Sequence, residues 1–321
     1  MKLVILDDYQ DAVRHLNCFK KLSQHQVTIY NDTVKELDQL VARLQEAEAV
    51  VLIRERTAIT EALLARLPDL RLISQTGRGI PHIDLEACTR HGVMVSAGGG
   101  SPYATAELSW GLVLAAMRRL PQEIAALKAE RWQTTLGLGL RGRTLGIFGY
   151  GKIGSLVASY GQAFGMDVLI WGREGSLSRA KAAGFKTTAS QEALFEQADV
   201  LSLHLRLTDQ TRGIVRASDL ARMKPSAVLV NTTRAELIES GALVQALKAG
   251  RPGFAAVDVY ELEPAVDDPL LSLDNAICTP HLGYVEQDSY ELYFGLAFDQ
   301  VLAFEAGHPL NVVNPQILDL A

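Results

Sequence analysis

The chain has 321 residues, 48% of them apolar and 21% charged, a globular composition too long for one ordinary core and about right for two. Its formal net charge of −6 speaks against a nucleic-acid partner, because phosphate polymers are held by clustered Lys and Arg. Cys18, Cys88 and Cys278 are odd in number, far apart and without a C-x-x-C, which argues against a disulfide framework or a zinc site; no metal is expected.

Met1-Lys2 leads into Leu3 to Leu6 and then Asp7-Asp8, too short an apolar run for a signal peptide. No stretch approaches the roughly 18 to 20 apolar residues of a membrane span, so a cytoplasmic protein without membrane contact is expected. In the first hundred residues short apolar runs alternate with helical spacing: Leu3 to Leu6, Val34 to Leu44, Val50 to Ile53, Thr60 to Leu67, Leu70 to Ser74, Asp84 to His91 and Val93 to Val95. That rhythm is βαβ and predicts a parallel sheet. A glycine-rich turn at Ala97 to Pro102 then opens a helical pattern from Ala104 to Leu120, which Pro121 is expected to stop.

From Thr144 the alternation restarts, with apolar runs at Leu145 to Phe148, Val168 to Trp171, Val200 to Leu203, Ala227 to Val230 and Phe254 to Val257. A second doubly wound sheet is predicted. After Thr279-Pro280-His281 one long helix is expected, roughly Val285 to Glu305, stopping near Gly307. The domains expected are 1–98 with 286–321, and 99–285.

The strand Leu145 to Phe148 runs directly into Gly149-Tyr150-Gly151-Lys152-Ile153-Gly154 and a helical pattern. In G-x-G-x-x-G the first glycine permits the tight turn, the second lets backbone approach a pyrophosphate and the third packs helix on strand. A dinucleotide is therefore expected. The next strand ends in Trp171-Gly172-Arg173-Glu174. With Gly172 where a ribose-binding carboxylate normally stands and Arg173 beside it, NADP is favoured over NAD; the competing reading makes Arg173 a solvated loop residue and gives the ribose to Glu174.

Three later strand ends carry polar residues: Asn231-Thr232-Thr233-Arg234, Asp258-Val259-Tyr260-Glu261-Leu262-Glu263-Pro264 and Thr279-Pro280-His281. Strand C-termini of an open α/β sheet face the ligand crevice. With these motifs in order behind the glycine fingerprint, the chain resembles the D-isomer-specific 2-hydroxyacid dehydrogenases over essentially its whole length. The resemblance implies an α/β protein of two doubly wound parallel-sheet domains, a Rossmann-type NAD(P)-binding domain and a flavodoxin-like substrate domain. It also implies hydride transfer between NAD(P)H and C2 of a small 2-keto or 2-hydroxy acid.

By that resemblance His281 is the catalytic acid and base, Glu263 the carboxylate that orients it, and Arg234 the clamp on the substrate carboxylate and carbonyl. Thr105, Gly149, Gly151, Lys152, Ile153, Gly154, Gly172, Arg173, His204, Thr232, Thr233, Asp258 and Gly283 are expected at the cofactor, Asp258 on the nicotinamide carboxamide. Thr76-Gly77-Arg78-Gly79 matches the family loop whose backbone holds the substrate carboxylate, and Arg54 and Arg56 resemble arginines that face the cleft in members of the family, with plain surface charge the competing reading; Arg54, Gly77, Arg78 and Gly79 are the expected substrate-binding residues.

Departures from the pattern are Arg206 for a proline after His204, Ala235 for the glycine after Arg234, and Arg78 itself. The segment Gln122 to Trp132 resembles the family's dimerisation arm and implies a homodimer. The alternative of another class is a non-catalytic nicotinamide-sensing protein or corepressor, which the intact Arg234, Glu263 and His281 set disfavours. With the chain ending at Ala321, feedback control through an appended regulatory domain is not expected.

Overall fold

The structure, a computed structural model, describes residues 1–319. The chain divides into two compact units: Met1–Ser101 together with the segment from Glu286 on, and Pro102–Val285.

In the first unit strands β1 (Lys2–Ile5), β2 (Gln26–Ile29), β3 (Ala49–Ile53), β4 (Leu72–Thr76) and β5 (Met94–Ala97) form one sheet in the order β2-β1-β3-β4-β5. Every pairing is parallel, with Leu3 beside Ala49 and Ile53 beside Thr76. All five residues of β3 are buried, as a parallel strand covered on both faces demands. Helices α1 (Leu37–Leu44), α2 (Glu61–Leu64) and α3 (Leu85–Arg90) complete the crossovers. The side chain of Thr60 caps α2 at the Leu63 N–H and that of Asp84 caps α3 at the Ala87 N–H, satisfying donors the helices cannot. In this order the winding reverses between β1 and β3, so the crevice lies at the residues just after Ile5 and Ile53.

The second unit opens with α4 (Tyr103–Met117) and α5 (Leu120–Lys128). Pro121 does not stop the first of these, contrary to the sequence-based expectation: α4 ends at Met117, Arg119 takes a left-handed conformation (φ 57°, ψ 32°), and Pro121 sits in the first turn of α5. A proline there lacks only an N–H that would have no partner in the helix. Strands β6 (Thr144–Phe148), β7 (Asp167–Trp171), β8 (Lys186–Thr187), β9 (Val200–Leu203), β10 (Val228–Asn231), β11 (Phe254–Val257) and β12 (Ala276–Cys278) make a parallel sheet in the order β12-β11-β10-β9-β6-β7-β8. Its winding reverses between β6 and β9. Between the strands run α6 (Lys152–Ala163), α7 (Glu174–Ala182), α8 (Gln191–Gln197), α9 (Ala217–Leu220) and α10 (Ala242–Lys248).

The two faces of this sheet bury separate cores, one around Val113, Ile147, Val157 and Val230, the other around Phe148, Phe195, Leu229 and Leu243. Phe148 and Phe195 meet edge to face at 6.3 Å between centroids, each burying a ring that stabilises the fold by roughly 1.5 to 3 kcal/mol. The chain then returns to the first unit as α11 (Gln287–Glu305), anchored there by the Ser74 hydroxyl, which donates 2.9 Å to the Ala297 carbonyl and lies 2.7 Å from Gln300 Oε1. Among the described residues no helix is long and apolar enough to cross a membrane.

Candidate active site

At the switch point of the second sheet the chain leaves β6 through Gly149, whose φ is +102° and whose N–H donates 2.8 Å to the Trp171 carbonyl. A Cβ at Gly149 would stand 2.6 Å from the His204 carbonyl oxygen, and one at Gly154 2.2 Å from the Gly149 oxygen. Both glycines therefore exist to let backbone touch backbone. Gly151 differs: it caps α6 in extended conformation, and a Cβ there would meet nothing within 4 Å. Lys152 and Ile153 open α6 behind it, Lys152 exposed and Ile153 packed on the core. The result is open space in front of the N-terminus of a 12-residue helix, whose free N–H groups and dipole favour an anion. These residues fit a dinucleotide pyrophosphate.

Around this loop, a Cβ at Gly172 would lie 3.6 Å from the Gly149 Cα, while Arg173 is exposed and N-caps α7 without a side-chain cap bond. The His204 ring bonds through Nε2 to the Ser202 hydroxyl at 2.8 Å. Burial pushes its imidazole down to about 3, so it stands neutral in the floor of the loop. Thr105 donates its hydroxyl to the Gly283 carbonyl at 2.6 Å, and the Thr232 and Ser109 hydroxyls bond at 2.6 Å. The side chain of Thr233 donates to the Leu203 carbonyl at 2.9 Å. Arg206 is exposed, and its carbonyl accepts from the Thr211 hydroxyl.

Three turns follow the adjacent strands β10, β11 and β12, which run in register, Asn231 beside Val257 and Val257 beside Cys278. Asn231 ties the first turn, donating to the Arg234 carbonyl at 2.9 Å and accepting from the Thr233 N–H at 3.1 Å. That leaves Arg234 projecting from the turn, with Nη1 donating 2.7 Å to the Thr233 carbonyl. Asp258 is 0% exposed; Oδ1 accepts from the Thr279 hydroxyl at 2.6 Å and the Leu282 N–H at 2.7 Å, and Oδ2 from the Gly283 N–H at 2.8 Å. Burial pushes the Asp258 carboxyl up, against the pull of those donors and of nearby His281. Its bonds lock the segment that carries His281, which needs fixing because His281 itself is left-handed at φ 54°.

Across that locked turn His281 Nδ1 lies 2.7 Å from Glu263 Oε2, and Glu263 Oε1 accepts from the Tyr260 N–H at 3.1 Å. Burial works against the Glu263 charge, but the bond to His281, the electrostatic pull of that ring, the Tyr260 N–H and Arg234 together hold the carboxyl below its ordinary value. Glu263 is therefore an anion at neutral pH. The His281 ring also meets Tyr284 edge-on, at 5.7 Å between centroids.

The first unit carries the remaining predicted residues at the ends of β3 and β4. Arg54 is left-handed (φ 55°), its N–H donating 3.0 Å to Thr76 Oγ1 and its carbonyl accepting 2.8 Å from Gln75 Nε2. Gly77 has a φ of +87°, and a Cβ there would be 2.6 Å from Arg54 Nη1. Arg78 is exposed. Arg56 donates 2.6 Å to the Asp7 carbonyl and lies 4.3 Å from the Tyr9 ring centroid. Among the described residues no group of three or more His, Cys, Asp or Glu is arranged to hold a metal ion.

Residues 110–283 match the family described as D-isomer specific 2-hydroxyacid dehydrogenase, NAD binding domain. A glyoxylate reductase of Aeropyrum pernix is 37% identical over 88% of this chain and 87% of its own length. The chain belongs to the D-isomer-specific 2-hydroxyacid dehydrogenases. Another member, a D-3-phosphoglycerate dehydrogenase of Methanocaldococcus jannaschii, is 34% identical over 98% of this chain, which spans 59% of that protein's length. A crystal structure of an oxidoreductase from Ralstonia solanacearum superposes with a TM-score of 0.97 at 56% identity, covering 99% of this chain and 98% of that one.

In this family member sequence reasoning overlooked two side chains that shape the site, Ser109 and Arg179, and named Thr279 only as part of a strand-end motif. Ser109 reaches Thr232 from a helix 123 positions earlier. Thr279 supplies one of the three bonds to Asp258. Arg179 Nη2 donates to the Tyr150 carbonyl at 3.1 Å, bringing a guanidinium to the glycine loop. Arg179, in the last turn of α7, and Ser109 carry no local mark that would have singled them out.

Proposed function

We propose that this chain catalyses hydride transfer between a nicotinamide dinucleotide and C2 of a small 2-keto or 2-hydroxy acid, with His281 donating and accepting the proton. The 2.7 Å bond between His281 Nδ1 and Glu263 Oε2 carries the reading. With Nδ1 engaged by a carboxylate, Nε2 is the nitrogen that exchanges a proton with the substrate oxygen, and the carboxylate stabilises the imidazolium that donates it. Bound at the glycine loop, the nicotinamide cofactor supplies the hydride in reduction and takes it up in oxidation.

Arg234 binds the substrate carboxylate and stabilises the charge that grows on the carbonyl oxygen, since a planar guanidinium offers two parallel N–H groups. Asp258 positions His281 through the Leu282 and Gly283 N–H groups, and its remaining acceptor capacity suits a carboxamide N–H. The loop Gly77 to Gly79, with Arg54 and Arg78, holds the acid's carboxylate on backbone N–H groups. Residues 1–98 with 286–321 thus form the substrate domain, and 99–285 the cofactor domain.

The cofactor reading favours NADP, supported by Gly172 in place of a carboxylate and by Arg173 and Arg179 close by. The exposed arm residues Ile124, Leu127 and Trp132 support a homodimer. No observation favours the non-catalytic alternative, and a cytoplasmic location remains part of the proposal.

The test is oxidation of NADPH and NADH, run in parallel by the purified protein against glyoxylate, hydroxypyruvate, pyruvate and phosphohydroxypyruvate. Turnover with at least one acid is the expected result; tight cofactor binding without turnover on any of them overturns the reading.

A further inference from the structure

Glu55 has no part in the reading above, yet it occupies one end of the loop to which that reading assigns the substrate carboxylate. Gly77 and Gly79 are the loop's two small residues, and each is covered by a neighbouring side chain from the end of β3. Arg54 Nη1 lies 2.6 Å from the Cβ position of Gly77, and Glu55 Oε1 lies 2.3 Å from that of Gly79, with its Cδ at 3.3 Å. The loop is thus flanked by a cation at one end and a carboxylate at the other. A side chain at either glycine would collide with the ionic group above it.

The ends of β3 and β4 are built to hold this arrangement. Arg54 is tied at both its N–H and its carbonyl to β4 side chains and takes a left-handed conformation unusual for a side-chain-bearing residue. Such an outlier, over-determined by its neighbours, marks a ligand site more often than a random turn. The Arg54 guanidinium lies 5.7 Å from the Tyr293 ring centroid of α11, and Arg56 is drawn to the Asp7 carbonyl and the Tyr9 ring. Arg54 and Glu55 thus both bring charge to the loop, with the half-buried His82 within electrostatic reach of the two and Arg78 exposed on the loop itself.

We infer that Glu55 is a specificity-determining residue that restricts the substrate to a 2-keto acid whose only anion is its own carboxylate. Resting on the dehydrogenase reading, this selection is electrostatic. The acid's carboxylate is drawn toward the Arg54 end and the backbone N–H groups. The remainder of the molecule then lies within reach of Glu55, which accepts a hydrogen bond from a hydroxyl and repels a phosphate. Two unit charges a few ångströms apart in a partly buried site change binding by roughly tenfold or more.

The experiment measures kcat/KM for hydroxypyruvate and for phosphohydroxypyruvate in the wild type, Glu55→Gln and Glu55→Asp. The wild type should prefer hydroxypyruvate, and Glu55→Gln should lower the ratio of the two values by at least about tenfold, chiefly through a gain with the phosphorylated acid. Glu55→Asp, which keeps the charge, should keep most of the preference. A merely structural role would move both values together and leave the ratio within threefold, which overturns the inference; so does a wild type that prefers the phosphorylated acid. Wild type that turns over none of the acids overturns the dehydrogenase reading itself, and is told apart from those outcomes by the absence of any rate to compare.

Discussion

Replacing Gly154 and Gly151 by alanine, one at a time, separates two roles that the glycine fingerprint combines. At Gly154 the added Cβ would lie 2.2 Å from the Gly149 carbonyl oxygen, so backbone must separate from backbone by about 1 Å to restore an ordinary contact. Overpacking of this kind costs about 3 kcal/mol at the upper end of its range, because neither partner is a flexible side chain. For a unit of roughly 180 residues, 102 to 285, that is a fall of about 6 to 12 °C in Tm. At Gly151 the new methyl meets nothing within 4 Å, and the backbone (φ −101°, ψ −160°) suits alanine. Stability should change by less than about 1 kcal/mol, while the methyl enters the space proposed for the pyrophosphate. Differential scanning fluorimetry with and without NADPH or NADH reads both quantities. Gly151→Ala should melt within about 3 °C of wild type yet lose the cofactor-induced rise in Tm. A Gly151→Ala protein that keeps that rise, or a Gly154→Ala protein as stable as wild type, refutes the reasoning.

Stopped-flow and equilibrium titration on His281→Ala should show turnover reduced by roughly 10²-fold or more with cofactor affinity nearly unchanged; equal losses in both would remove His281 from the chemistry. Asp258→Asn places an amide where Leu282, Gly283 and Thr279 donate, leaving at least one buried donor unmatched at about 1 to 3 kcal/mol. Its melting temperature and its kcat should fall together, whereas an unchanged kcat would detach Asp258 from the placing of His281. The depressed Glu263 carboxyl stabilises the fold fully above its unfolded value of 4.5, and that contribution is lost as pH falls through the lower folded value. The difference in unfolding free energy between wild type and Glu263→Gln should accordingly be largest near neutrality and shrink below pH 4.5; a difference that grows on acidification contradicts the ion pair.

The parallel strands of both sheets were legible where burial on two faces wrote a continuous apolar run, as in Val50 to Ile53 and Leu145 to Phe148. Short or half-exposed strands left no such mark. The β2 residues Gln26–Ile29 alternate between exposed and intermediate, and β8 and β12 have two and three residues, too few for any period to register. Pro121 misled because a proline can follow the end of one helix or sit in the first turn of the next, and only the left-handed Arg119 decides between them. At the site, the residues at the strand ends could be named from local motifs. Their bonding could not: Asp258 meets Leu282 across 24 positions and Ser109 meets Thr232 across 123, and no periodicity reaches that far.

The outermost strand has a bearing on how long His281, the proposed acid–base group, stays in place. β12 is three residues long, lies at the edge of its sheet and, among the described residues, pairs only with β11, and His281 stands three residues beyond it. Edge strands with few ladder bonds open locally long before a domain unfolds. Amide hydrogen exchange at Ile277 and Cys278 thus times the residence of the imidazole at its post. Lengthening that strand would trade the ease of such openings for an imidazole that is in its proposed working position for a larger fraction of encounters.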